Sequence, residues 1–264
     1  MKQLCGLFAR TLIGGILFTH LILAVCELAG ISAVLRFPVR EVVYLSVVFF
    51  IMLIQLILIK MPSFPGARLG RILETEGYSA EFYHILNEWC VKCRRRWKVR
   101  SELAAAELFI DGGHYEKGFG LLNGIDPAGL EQQQRQIYYN TMLYGAVLCG
   151  DRAAADVIYR SGGKWLISVS KRPLAASVKH TLGCYEYLRG NADRAEELFV
   201  QALDAASSND VVCEVWLALM VCYLDSGRTV NAHEALKKAA EYACTLPLKQ
   251  KVARARELEN SPIN

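Results

Sequence analysis

Five glycines set the limits on what this chain can fold into. Gly77, Gly113, Gly150, Gly190 and Gly227 follow one another at intervals of 36, 37, 40 and 37 residues. Self-similarity at that period is the mark of stacked supersecondary units. Between the glycines, apolar residues recur at spacings of three and four, which is the helical period. Proline is scarce from residue 61 onward, and no β-branched stretch alternates in a strand pattern. The region is therefore predicted to be all-helical. Each glycine closes one amphipathic segment and opens the next, as expected of a residue that adopts left-handed backbone cheaply.

The flanking residues agree. Trp216, Leu219 and Tyr223 share one face before Gly227, and Ala232, Leu236 and Ala239 share the face after it. Around Gly190 the corresponding residues are Leu182 and Gly183, then Ala195, Phe199 and Ala202. Small residues let two antiparallel helices approach closely, and aromatic rings fill the space beside them. Weaker units surround Gly113 (Phe109, Tyr115, Gly118) and Gly150 (Tyr139, Met142, Ala155, Tyr159).

The segments 181–210 and 215–240 carry a Leu-Gly pair, a Trp, a Tyr, a turn Gly and two Ala at set positions. In these features the chain resembles the tetratricopeptide repeat, a helix–turn–helix unit of about 34 residues. The resemblance covers about residues 99–246 and departs from the pattern at Glu186, where Tyr is expected, and after Ala202, where Pro is missing. It implies an α-solenoid of four to five repeats over 99–264, with the charged segment from Pro247 as a cap. It also implies that a partner segment binds in a groove lined by each first helix. Asn140, Tyr144, His180, Cys184, Tyr187 and Glu214 would face that groove. The carboxylate-clamping subset of the family uses Lys, Arg and Asn at first-helix positions that hold Leu103, Glu107, Thr141 and Ala218 here. Only Asn140 and Arg100 fit, so no recognition of a C-terminal carboxylate is implied.

The N-terminal part has a different character. Residues 11–35 contain only His20, Cys26 and Glu27 as ionisable groups, and residues 42–59 contain no charge. A bilayer core takes about 20 apolar residues as a helix. The loop from Arg36 to Glu41 is too short for a domain, and Pro38 stops a helix. A transmembrane hairpin over 1–61 is expected. Lys2, Arg10, Lys60, Arg68 and Arg71 lie on the side of the termini, against Arg36 and Arg40 in the loop. Both termini and the repeats are thus predicted to be cytoplasmic, on the plasma (inner) membrane. Intramembrane His20 and Glu27 would otherwise serve an accessory subunit of a transporter.

Residues 60–100 hold nine basic and four acidic groups, and form a basic juxtamembrane segment that also reads as a degenerate first repeat (62–98). Lys92, Arg94, Arg95, Arg96, Lys98 and Arg100 concentrate the charge and are candidates for contact with anionic lipid. The whole chain carries only +4, which is too little field for a nucleic-acid binder.

Trp89-Cys-Val-Lys-Cys93 has the outline of a thiol–disulfide active site. Reactive thiols of that kind sit at helix N-termini. Here Phe82, Leu86, Trp89, Cys93 and Trp97 form one apolar stripe in a helical run from near Ser79, so both cysteines read as packing residues. A membrane thiol oxidoreductase using Cys90 and Cys93 is the alternative. No metal, cofactor or catalytic constellation is expected: there is no H-E-x-x-H and no G-x-S-x-G. The sequence reads as a membrane-anchored interaction scaffold for a protein or peptide partner.

Overall fold

The computed structural model describes residues 64–93, 95–169 and 174–260. The predicted transmembrane hairpin, with His20 and Glu27, lies outside the described residues. Residues from Phe64 onward form one unit. Among the described residues every regular element is helical. No helix among them is long and apolar enough to cross a membrane.

The helices are α1 (Gly66–Thr75), α2 (Ala80–Lys92), α3 (Arg95–Asp111), α4 (Tyr115–Asn123), α5 (Gln132–Leu148), α6 (Arg152–Ile167), α7 (Leu174–Leu188), α8 (Ala192–Ala205), α9 (Asn209–Asp225), α10 (Thr229–Tyr242) and α11 (Leu246–Asn260). All five turn glycines have positive φ, from 69° to 88°. Four of the turns share one hydrogen-bond pattern. The residue after the glycine donates to the carbonyl five residues back: His114 to Phe109, Asp151 to Ala146, Asn191 to Glu186 and Arg228 to Tyr223, all between 2.8 and 3.0 Å. Each glycine N–H donates to the carbonyl three residues back, as in a Schellman motif. Gly77 departs, because its own N–H reaches Ile72, five residues back, at 2.9 Å. Two further residues then intervene before α2, whose N-cap Ser79 accepts from Phe82.

Consecutive helices pack in pairs: α1 with α2, α3 with α4, α5 with α6, α7 with α8 and α9 with α10. Odd-numbered helices also pack on one another, α3 on α5, α5 on α7, α7 on α9 and α9 on α11. The last of them, α11, returns to touch α1. Helices α3, α5, α7, α9 and α11 thus form a continuous inner wall, backed by the even helices α4, α6, α8 and α10, and the circuit is completed by α1 on α11 and by α2, which packs on both α1 and α3.

The pairing depends on size matching. A Cβ built on Gly183 of α7 would lie 2.6 Å from the ring of Phe199 on α8. That ring is 1% exposed and has nowhere to go. Ala195, Ala202 and Ala232 are fully buried at the same level of the fold, in one cluster with Leu219 and Met220.

One expectation is corrected here. The helical run from Ser79 does not reach Trp97. It ends at Lys92, and Cys93 is an extended C-cap (ψ 128°). The physical reason is tertiary. Phe82 and Leu86 of α2 are buried against Ala105 and Phe109 of α3, and the rings of Tyr83 and Phe109 stack at 5.2 Å. Two segments can bury these faces together only if the chain reverses between them. Helix α2 accordingly closes at Lys92, and α3 begins at Arg95.

The longest connection inside the paired region, α4 to α5, is tied down by one side chain. Arg135 donates to the carbonyls of Pro127, Ala128 and Leu130, each at 2.8 Å, while its guanidinium lies 4.5 Å from the Trp165 ring. Charge-assisted bonds of this type are worth about 1.5–3 kcal/mol in protected settings. Arg135→Ala is expected to cost about 2 kcal/mol in a urea melt, because three carbonyls lose their donor together. Arg135→Lys recovers less than half of it, since an ammonium cannot fork to three acceptors in a plane.

Candidate functional site

The inner wall encloses a cavity of about 170 Å³. Every odd helix supplies part of it, and all but α1 do so with two side chains at a spacing of four, on one face. Helix α3 gives Glu107 and Asp111, α5 gives Asn140 and Tyr144, and α9 gives Asp210 and Glu214. From α7 come Ser177, His180 and Thr181, and from α11 Pro247, Leu248 and Lys251. Leu73 of α1 and the following Tyr78 complete the wall.

Four carboxyl groups thus face a single ammonium. Lys251 donates to Glu214 at 2.5 Å, which joins α11 to α9. Burial works against the charge on Lys251, but the adjacent Glu214 and then Asp111 outweigh it and hold the ammonium above its ordinary value. The carboxyls are pushed the other way. Burial first, then the neighbouring charges of Glu107 and Glu214, raise Asp111 to about 8, with Lys251 opposing. Glu107 is raised by burial alone, and Asp210 by burial and Glu214. Glu107 and Asp210 are nevertheless exposed to solvent, which enters the half-open cavity and tempers the effect of burial on their charge.

The neutral groups are held dry. His180 is buried, and burial pulls its imidazole below the ordinary value, with Lys251 adding to the effect and Glu214 opposing it. Its Nε2 lies 3.5 Å from Cys184 Sγ, and its ring 5.8 Å from that of Tyr144. Burial and Glu214 raise the Cys184 thiol, so this is a thiol beside a neutral imidazole. Tyr78 and Tyr144 are raised by burial as well. Among the described residues two buried side-chain oxygens have no partner: the Tyr83 hydroxyl, away from the cavity, and Asn140 Oδ1, on a cavity residue that is 8% exposed. A lone amide oxygen in such a place costs about 1–3 kcal/mol.

Four of the six groove residues expected from sequence line this cavity: Asn140, Tyr144, His180 and Glu214. Two do not. Cys184 sits one turn beyond His180 and packs with the cluster of α8, α9 and α10. Tyr187 bonds through its hydroxyl to Asp225 on α9. Both lie where α7 leans on α9, and the neighbouring helix covers the face they occupy. Sequence reasoning missed Glu107, Asp111, Asp210 and Lys251. The signal was present as two like-charged pairs at a spacing of four, Glu107/Asp111 and Asp210/Glu214. Such pairs are unfavourable on a free helix surface and need a reason.

The basic cluster is partly engaged. Lys92 bonds to Glu88 at 3.0 Å, Lys98 lies 3.5 Å from Glu102, and Arg100 is 5.2 Å from the Trp97 ring. Arg94 lies outside the described residues, as do the side chains of Arg95 and Arg96. Cys90 and Cys93 are at the carboxyl end of α2, the wrong pole for a thiolate. Burial, then Cys93 and Glu102, push the Cys90 thiol up to about 11. Among the described residues no group of three or more His, Cys, Asp or Glu is placed to hold a metal ion.

Comparison with protein-family models, with curated proteins and with solved structures finds no match to this chain.

Proposed function

We propose that this chain is a membrane-anchored interaction scaffold. Residues 1–61 form the transmembrane hairpin, and the helical pairs after it act as a tetratricopeptide-like solenoid on the cytoplasmic face. A protein or peptide partner inserts a segment into the cavity of the inner wall. The observation that carries this reading is the cavity that all odd helices share, lined by Asn140, a buried residue whose Oδ1 has no donor. Folded proteins rarely leave such an atom unsatisfied without a use for it. The two apolar runs and the shared turn geometry support the anchor and the repeat. The raised Cys90 thiol at a helix carboxyl end supports this reading over thiol chemistry.

Site-specific photo-cross-linking in the native cells tests the proposal. A photoreactive residue replaces Ser177, a small cavity-wall side chain, or Val157, which is 55% exposed on α6. Position 177 is expected to give a discrete adduct and position 157 none. Adducts at 157 with none at 177 would overturn the assignment of the cavity.

A further inference from the structure

The chemistry of the cavity identifies what the inserted segment carries. We propose that the cavity receives an ammonium or guanidinium group, presented by a Lys or Arg side chain of the partner segment. This rests on the reading of the cavity as the partner's receptor.

Charge balance is the first argument. Glu107, Asp111, Asp210 and Glu214 face the cavity, and Lys251 is the only Lys or Arg among its lining residues. Lys251 is committed to Glu214. The carboxyls of α3 are left with no cation of their own, so Asp111 keeps a proton that a carboxyl in water would have lost. An incoming cation would take that proton's place.

The unsatisfied acceptor is the second argument, and it is independent of charge. Asn140 lines the cavity and is more than nine-tenths buried, and its Oδ1, itself almost wholly covered, lacks a donor. An anion or an apolar side chain offers none. An ammonium brings three N–H donors and a guanidinium five.

Shape is the third. The acceptors are spread over α3, α5 and α9 rather than drawn together, and they form no metal-holding group among the described residues. A compact divalent ion would leave most of them out of reach. A planar or extended organic cation reaches several at once. Tyr78 and Tyr144 add aromatic walls, which attract such cations further.

Amide NMR of the full chain in detergent provides the test. The probes are methylguanidinium, n-butylammonium, sodium propionate, the peptide acetyl-Gly-Gly-Arg-Gly-Gly-amide and its Arg→Glu counterpart. The Arg peptide and both cations are expected to shift the signals of Asp111, Asn140, Thr141 and Glu214, and the anions are not. The Arg peptide should bind several-fold more tightly than methylguanidinium. Asn140→Leu is expected to weaken the Arg peptide about tenfold, the loss of one hydrogen bond to a charged group. Asp210→Asn gives a second variant, on a solvent-touched position that leaves folding intact, and should weaken it several-fold. The spectrum itself reports whether each variant is folded.

Absence of any cation-dependent shift, or equal shifts with propionate, would overturn the proposal. So would unchanged affinity in folded Asn140→Leu and Asp210→Asn. Free cations binding as tightly as the Arg peptide would overturn the side-chain source and assign the cavity to small amines. If the probes fail while position 177 still cross-links, a partner enters by other chemistry. If both fail, the receptor reading falls with the inference.

Discussion

Gly183→Val is expected to lower the stability of the helical region by about 3 kcal/mol or more, while Gly120→Ala raises it by up to about 1 kcal/mol. Both glycines are helix-interior residues, and helix propensity alone predicts a gain for Ala at either. The difference lies in what surrounds them. At Gly120 a Cβ would meet nothing within 4 Å, so only the entropy of the backbone changes. At Gly183 it would meet the Phe199 ring at 2.6 and 2.7 Å. The ring is fully enclosed and cannot turn aside, so α7 and α8 must separate. Separation exposes part of the cluster that runs from Ala195 through Met220 to Leu248. Phe199→Ala is expected to cost about 3–5 kcal/mol through the cavity that it leaves. The two sites are coupled. Gly183→Ala combined with Phe199→Leu should cost less than the sum of the single changes, because the smaller side chain makes room for the methyl. Urea melts of the parent chain, the two single variants and the double variant would show this. Strict additivity would mean that the two helices do not meet at this point.

The second large effect concerns pH. Asp111 has its carboxyl raised from an ordinary 3.8 to about 8 in the folded state. Between those values the folded chain binds a proton that the unfolded chain releases. The stability contributed by Asp111 is therefore fully present below about pH 4 and is lost as pH rises through about 8. Glu107 and Asp210, also raised, act in the same sense. His180, whose imidazole is held down, acts in the opposite sense and loses stability as pH falls below its ordinary value. Lys251, raised, titrates above this window. Asp111→Asn removes only the first of these contributions. The variant should gain on the parent chain between pH 5 and pH 8 by about 2 kcal/mol; complete titration over three pH units would give about 4, and solvent in the cavity reduces it. Urea melts at the two pH values measure the difference. A constant offset between variant and parent would show that Asp111 stays ionised throughout.

The same residues explain how far the sequence could be read. The turn glycines were legible because positive φ is a local demand, and only their spacing had to be seen. The close approach at Gly183 was legible for a similar reason: a glycine opposite an aromatic in a predicted helix pair has few other uses. The cavity was half legible. Asn140, Tyr144, His180 and Glu214 share the first-helix face that a repeat would turn inward. Cys184 and Tyr187 share nearly the same face of α7, and only the tilt of α7 against α9 decides that they are covered. No local pattern encodes that tilt. The break between α2 and α3 was hidden for a related reason. The apolar spacing from Phe82 to Trp97 suits one helix as well as two, and the choice is made by the burial of α2 against α3. Closure of the wall by α11 on α1 joins residues more than 170 positions apart and could not be seen at all. Packing of α11 on α9 brings Lys251 to Glu214, so that the two acidic pairs share one cation at a common cavity.

The most direct measurement is the sequence of the partner segment attached to position 177. The adduct, digested and read by mass spectrometry, is expected to carry Lys or Arg within one or two residues of the attachment point, and to be lost in Asn140→Leu. A segment without a basic residue there, or an adduct that persists unchanged in Asn140→Leu, would contradict the account.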